Sequence, residues 1–119
     1  MLVFILKKEW YEKIKRGEKT IEFREVKPYW TQRLLKNAHN CELMVGNYVL
    51  LKKGACVPCK LRLGYTGKYM TAIITRIDMV DGKNTDLHID KPVYAIHLAD
   101  VREVDGGIEK ENEIEVVEE

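Results

Sequence analysis

The sequence predicts a single small α+β domain: a curled sheet or barrel of five or six short strands, with two short helices in the N-terminal third. Three observations carry this. Apolar runs of strand length recur at Leu2 to Lys7, Tyr48 to Leu51, Val57 to Leu63, Met70 to Ile77 and Val93 to Val101, each bounded by charged or turn-forming residues. Two early stretches instead space their apolar residues four apart, the period of a surface helix. Finally, 119 residues at 45% hydrophobic and 33% charged suffice for one core without metal or disulfide staples, and are too apolar for a disordered chain.

In chain order, Val3, Phe4 and Ile5 form an unbroken apolar run, read as a buried strand. Residues 9–16 pair Trp10 with Ile14, and Glu9 with Lys13 and Glu12 with Arg16 in acid-before-base order, as in a short surface helix that Gly17 ends. Trp10 is then a core anchor. A strand begins near Lys19, with Ile21 and Phe23 on one face and Thr20, Glu22 and Arg24 on the other. That polar row, its members about 6.7 Å apart, is either a ligand-binding groove or the solvated side of a half-buried strand.

Pro28 suits the first position of a second helix from Tyr29 to Ala38, whose Trp30, Leu34 and Ala38 make an apolar stripe with Arg33 and Lys36 outside it. Asn37 to Glu42 reads as a loop, and Gly46-Asn47 as a turn into Tyr48 to Leu51, a strand ended by Lys52-Lys53-Gly54. Pro58 has no N–H to donate, so Val57 to Leu63 is expected at a sheet margin or to begin after the proline. Met70 to Ile77 is the most continuous apolar, β-branched run and predicts a central strand buried on both faces. After the turn at Asp81-Gly82, Lys83 to Lys91 reads as a long loop with His88 at its surface. In the last strand Tyr94, Ile96 and Leu98 alternate with Ala95, His97 and Ala99, which leaves His97 either a hydrogen-bonded structural residue or a functional one.

Residues 62–69 interleave Arg62, Tyr65, Lys68 and Tyr69 with Gly64 and Gly67. Single-stranded nucleic acids are held by this combination, the aromatic faces stacking bases and the cations holding phosphate, but two glycines equally permit an ordinary hairpin. Cys56 and Cys59 have the spacing of a zinc half-site or redox pair. No second such pair completes it, although His39 and Cys41 are available, so buried or surface thiols without a metal are expected. Charge is divided: residues 103–119 hold eight acids against Lys110, about −7, whereas residues 1–102 hold 11 acids and 19 bases, about +8. A basic body suits a polyanionic partner. The acidic segment is read as a tail or a last edge strand at Ile114 to Val117. The opening apolar run is too short for a signal sequence or a membrane span, so a cytoplasmic location is expected.

The stretch Gly17-Glu18-Lys19-Thr20-Ile21-Glu22-Phe23-Arg24, following a strand and a short Trp-bearing helix, resembles the G-x-K-[ST]-x-E-x-R signature of ASCH (ASC-1 homology) domains. Gly46-Asn47-Tyr48-Val49 is similar to the family's turn into a strand, with asparagine where aspartate is commoner, and Tyr94 to Leu98 to its closing strand. The resemblance spans about residues 2–101. It implies a small PUA-like β-barrel of five to six mostly antiparallel strands over residues 1–102, and a cleft beside the signature strand for RNA or a nucleotide-like ligand, without a cofactor. Lys19, Thr20, Glu22 and Arg24 are the matching site residues. Relatives include acyl-cytidine amidohydrolases and reported ribonucleases. Glu22 stands where the amidohydrolases carry a second threonine, and Lys83 to Lys91 is too short to supply their later glutamate.

Three functions follow. In a binding module, Lys19 and Arg24 anchor the ligand and Tyr65 or Tyr69 stacks a base. In a hydrolase of RNA or a modified nucleoside, Lys19 and Glu22 are the catalytic pair. In a protein adaptor, Glu22 and Arg24 pair structurally.

Overall fold

The computed structural model describes residues 1–37, 41–45, 48–51 and 57–104. It is an α+β structure with two helices, a five-stranded mixed sheet and a two-stranded sheet. The elements run β1 (Leu2–Leu6), α1 (Lys8–Lys15), β2 (Ile21–Glu25), α2 (Pro28–Asn37), β3 (Cys41–Val45), β4 (Tyr48–Leu51), β5 (Val57–Leu63), β6 (Tyr69–Asp81), a 3-10 turn (Gly82–Asn84) and β7 (Pro92–Glu103). Hydrogen bonding orders the larger sheet β1-β5-β6-β7-β2, and β3 pairs with β4 antiparallel. No described helix is long and apolar enough to cross a membrane.

The chain divides into two compact units. The first comprises residues 1–20, 58–73 and 99–119, and the second residues 21–57 and 74–98.

In the first unit β1 pairs parallel with β5, Leu2 opposite Cys59 through Leu6 opposite Leu63. Leu2, Phe4, Leu6, Cys59 and Leu61 are buried on the shared inner face, while Ile5 on the other face is exposed. β1, read as a buried strand, buries Leu2, Phe4 and Leu6 although it is a sheet edge, and β5, expected at a margin or to begin after the proline, is interior with its ladder to β1 beginning after Pro58. Pro58 allows this because the ladder with β1 opens one residue later, at Cys59, where an N–H is present.

Helix α1 buries Tyr11 and Ile14, not Trp10. The expectation of Trp10 as core anchor is corrected by a side chain distant in sequence. The Tyr11 hydroxyl donates to Glu103 Oε2 at 2.9 Å, and Lys15 Nζ lies 3.1 Å from Glu103 Oε1. A tyrosine whose hydroxyl is satisfied can be buried whole, and Trp10 is left half-buried. Glu103 itself, counted with the acidic segment, is the last residue of β7. The helix ends in a Schellman motif: Gly17 N–H donates to Ile14 O and Glu18 N–H to Lys13 O, with Gly17 at φ +79°.

In the second unit β2 pairs antiparallel with β7, Glu22 opposite Ile96 and Arg24 opposite Tyr94. Val93 to Ile96 are all buried. Helix α2 buries Trp30 and Leu34 as its stripe predicts, and touches β4. The apolar segment Cys41–Val45, read in part as loop, is a strand that finds its partner in β4. Strand β6 is the middle strand, but the expectation of burial on both faces is not met. Met70, Ala72 and Ile74 are buried, Thr75 and Arg76 are exposed, and Ile77 is buried again, so the inward phase slips by one residue. Beyond it Asp81 accepts a hydrogen bond from Lys83 N–H at the turn, and His88 is exposed as expected. Ala38, the Gly46-Asn47 turn, Lys52 to Gly54, His39, Cys56, the side chain of Cys41 and the proposed strand at Ile114 to Val117 lie outside the described residues.

Two outcomes follow for stability. Gly17→Ala places a Cβ in left-handed backbone and lowers stability by about 1 kcal/mol, read from the urea midpoint. The hydrogen bond from Tyr11 holds the Glu103 carboxyl below its ordinary range, assisted by Lys15 and Lys68 and opposed by partial burial. A carboxyl lowered in the folded state stabilises above its unfolded pKa, about 4.3, and that contribution disappears as pH falls through the folded value. Tyr11→Phe therefore lowers the urea midpoint at pH 7 and flattens its decline below about pH 4. Equal losses at both pH values would show that packing alone is affected.

Candidate ligand-binding site

Strand β2 buries one polar side chain, Glu22, and leaves Arg24 half-buried. Glu22 is only 5% exposed, whereas Ile21 and Phe23 are half-buried, so the expectation that the apolar pair alone faces the core is corrected. The reason lies across the ladder: Glu22 and Arg24 share a face with Ile96 and Tyr94, both fully buried, while Ile21 and Phe23 lie opposite His97 and Ala95. A buried carboxylate must be paired. Arg24 supplies the pairing, its Nε and Nη2 donating to Glu22 Oε2 at 2.9 and 2.6 Å. Charge-assisted contacts of that length are the strong class of hydrogen bond.

Helix α2 completes the arrangement. The Arg24 guanidinium carbon lies 4.9 Å from the centre of the Trp30 ring, and the Tyr29 ring meets Trp30 edge-on at 5.0 Å. One residue further, Thr31 Oγ1 and the hydroxyl of Tyr94, the residue opposite Arg24, lie 2.5 Å apart in a hydrogen bond. Strand, helix and guanidinium are therefore held by one another. The site presents a carboxylate, a guanidinium with planar donors and an indole, a set that can hold a planar group bearing N–H donors or an anion.

The other sequence-predicted residues lie in the first unit. Lys19, half-buried, stands 5.3 Å from the Trp10 ring centre, and Lys13 5.1 Å from it, so one indole ring attracts two ammonium groups. Thr20 is exposed. In the β5–β6 connection Gly64 adopts φ +53°, and Leu63 N–H donates to Lys68 O. Tyr65 is 85% exposed, Arg62 half-buried and Lys68 exposed. Tyr69, read as a stacking ring, is buried and carries Lys60 4.4 Å above its centre, so its ring is a packing surface. The structure thus brings together Glu22 with Arg24, and Lys19 with Trp10 and Lys13, while Tyr65 stands at a hairpin tip.

Sequence reading missed Tyr29, Trp30 and Tyr94 as neighbours of Arg24. The one available signal was Trp30 and Tyr29 following Pro28, which places two aromatic rings on the first turn of a helix just after the signature. Lys60, 4% exposed, was also missed; its neighbours Cys59 and Leu61 made it look like an outward residue of an edge strand. His97 is hydrogen-bonded, its Nε2 2.9 Å from Asp78 Oδ2, and Arg76 Nε donates to Asp78 Oδ1 at 2.8 Å. Among the described residues Cys59 is a buried free thiol and no cluster of metal-binding side chains occurs. Comparisons of the chain with protein-family models, curated proteins and solved structures give no match.

Removing either partner breaks a charge-assisted pair at a buried carboxylate. Glu22→Ala or Arg24→Ala is expected to cost about 3 kcal/mol in urea unfolding. Glu22→Leu combined with Arg24→Met is expected to cost much less than the two losses summed, because no unpaired charge remains.

Proposed function

We propose that this protein is an RNA- or nucleotide-binding domain of the ASCH class, with a PUA-like barrel, and that the Glu22, Arg24 and Trp30 cluster is part of its ligand site. The observation that carries the reading is the inward-facing Glu22–Arg24 pair on the signature strand, with an indole against the guanidinium. Glu22 is suited to accept from N–H groups on a base edge, and Arg24 to donate to an anionic or carbonyl oxygen. Charge distribution supports a polyanionic ligand: residues 26–77 contain nine Lys or Arg and a single acid, Glu42. In the first unit, Lys19 and the hairpin with exposed Tyr65 and Lys68 and half-buried Arg62 carry phosphate-binding and stacking groups of their own.

A second reading, in which the ion pair is a structural brace and the domain an adaptor for another protein, draws on the same 2.6 Å contact and on Glu22's burial. The two readings separate in a fluorescence titration with a short single-stranded RNA and with free nucleosides, since Trp30 and Trp10 each lie against cations of the proposed site. Binding is expected to weaken steeply between about 50 and 200 mM salt with RNA. Arg24→Lys, which keeps the charge but loses the planar fork, and Lys19→Ala are each expected to weaken it about tenfold. Absence of any titration at low salt, with both variants folded, would sink the binding reading in favour of the brace.

A further inference from the structure

The Glu22–Arg24 cluster continues outward along α2. Beyond Trp30, Tyr29 is 50% exposed, and the Arg33 guanidinium lies 3.6 Å from its ring centre, a stacked contact. Arg24, Trp30, Tyr29 and Arg33 thus form a run of alternating contacts from a half-buried guanidinium to an exposed one. Helix α2 carries no acidic residue, and none occurs between Glu25 and Glu42, while Lys27, Arg33 and Lys36 do. Gln32, Arg33, Leu35 and Lys36 are all exposed.

We propose that this face of α2 is a docking surface for single-stranded nucleic acid, taking the nucleotides next to the one held at Glu22 and Arg24. The Arg33 guanidinium lies over the Tyr29 ring and its Nη1 donates to the Tyr29 carbonyl at 3.4 Å, which fixes the group on the helix surface and leaves its remaining N–H donors for a phosphate. Half-exposed Tyr29 presents ring surface on which an unpaired base stacks. An aromatic ring with a stacked arginine, next to Lys36 and with no acid on the helix, discriminates in favour of a flexible polyanion bearing planar groups. The inference extends the proposed function from one bound nucleotide to a strand, and rests on that reading for the ligand class.

The test uses the whole chain. Anisotropy of a 5′-labelled oligouridylate of about 10 nucleotides, a length within the range small single-strand binders occupy, reports the strand. Tryptophan fluorescence with uridine monophosphate reports the single-nucleotide site. Tyr29→Ala and Arg33→Ala are expected to weaken the oligonucleotide about tenfold and leave the mononucleotide unchanged, both side chains being outside the core. Arg33→Ala lowers the salt slope by about one, whereas Arg33→Lys keeps the slope and still loses affinity, because charge is retained and stacking is not. Wild-type affinity and slope in Tyr29→Ala and Arg33→Ala overturn the surface. If Arg33→Ala weakens the oligonucleotide while Arg24→Lys leaves the mononucleotide unaffected, the α2 surface stands and the site at Glu22 falls. The opposite pattern overturns the α2 surface alone, and no binding of either probe overturns both.

Discussion

A carboxylate taken out of water on a sheet strand requires a cation within hydrogen-bonding reach, and in the second unit that requirement organises what surrounds β2. Glu22 is buried and Arg24, two residues along the same strand, closes on it. The guanidinium then provides a flat charged surface against which Trp30 of α2 lies, and Tyr94 across the ladder bonds to Thr31 of the same helix. Helix, strand and ion pair are coupled: displacing α2 would uncover the guanidinium, and losing Arg24 would remove the 2.6 Å contact to the carboxylate.

Cations against aromatic rings recur through the described residues. Lys13 and Lys19 share Trp10, Lys60 lies over Tyr69, Arg24 over Trp30 and Arg33 over Tyr29. In a chain whose bases outnumber its acids by eight through residues 26–77, such contacts spread positive charge without an acidic partner for each base. They also allow a lysine such as Lys60 to be buried beside a ring. A surface built this way keeps its cationic character for an anionic ligand, whereas one neutralised by salt bridges does not.

Much of the element order was legible because it is written in local periodicity. The helix around Ile14, its end at Gly17, the second helix from Pro28 with Trp30 and Leu34 inward, and the long strands containing Met70 to Ile77 and Val93 to Val101 all follow from spacing and turn chemistry. Burial was less legible where two side chains competed for one face. Trp10 and Tyr11 are neighbours on α1, and Tyr11 is the one buried because Glu103, 92 residues away, accepts its hydroxyl. The edge position of β1 and the interior position of β5 were not legible because strand order depends on partners remote in sequence, while the expected start of pairing after Pro58 is what lets β5 be interior.

From residues alone, the signature stretch was determined as a turn followed by a strand with a carboxylate and a guanidinium on one face. That face's orientation was not, since alternation places Glu22 and Arg24 together without saying which side is wet. Only the antiparallel register, setting them opposite Ile96 and Tyr94, buried Glu22 and set Arg24 against it, while Thr20 stayed exposed. The proximity of Trp30 to that pair was likewise decided by tertiary packing, because it depends on where α2 lies and no local pattern encodes that position.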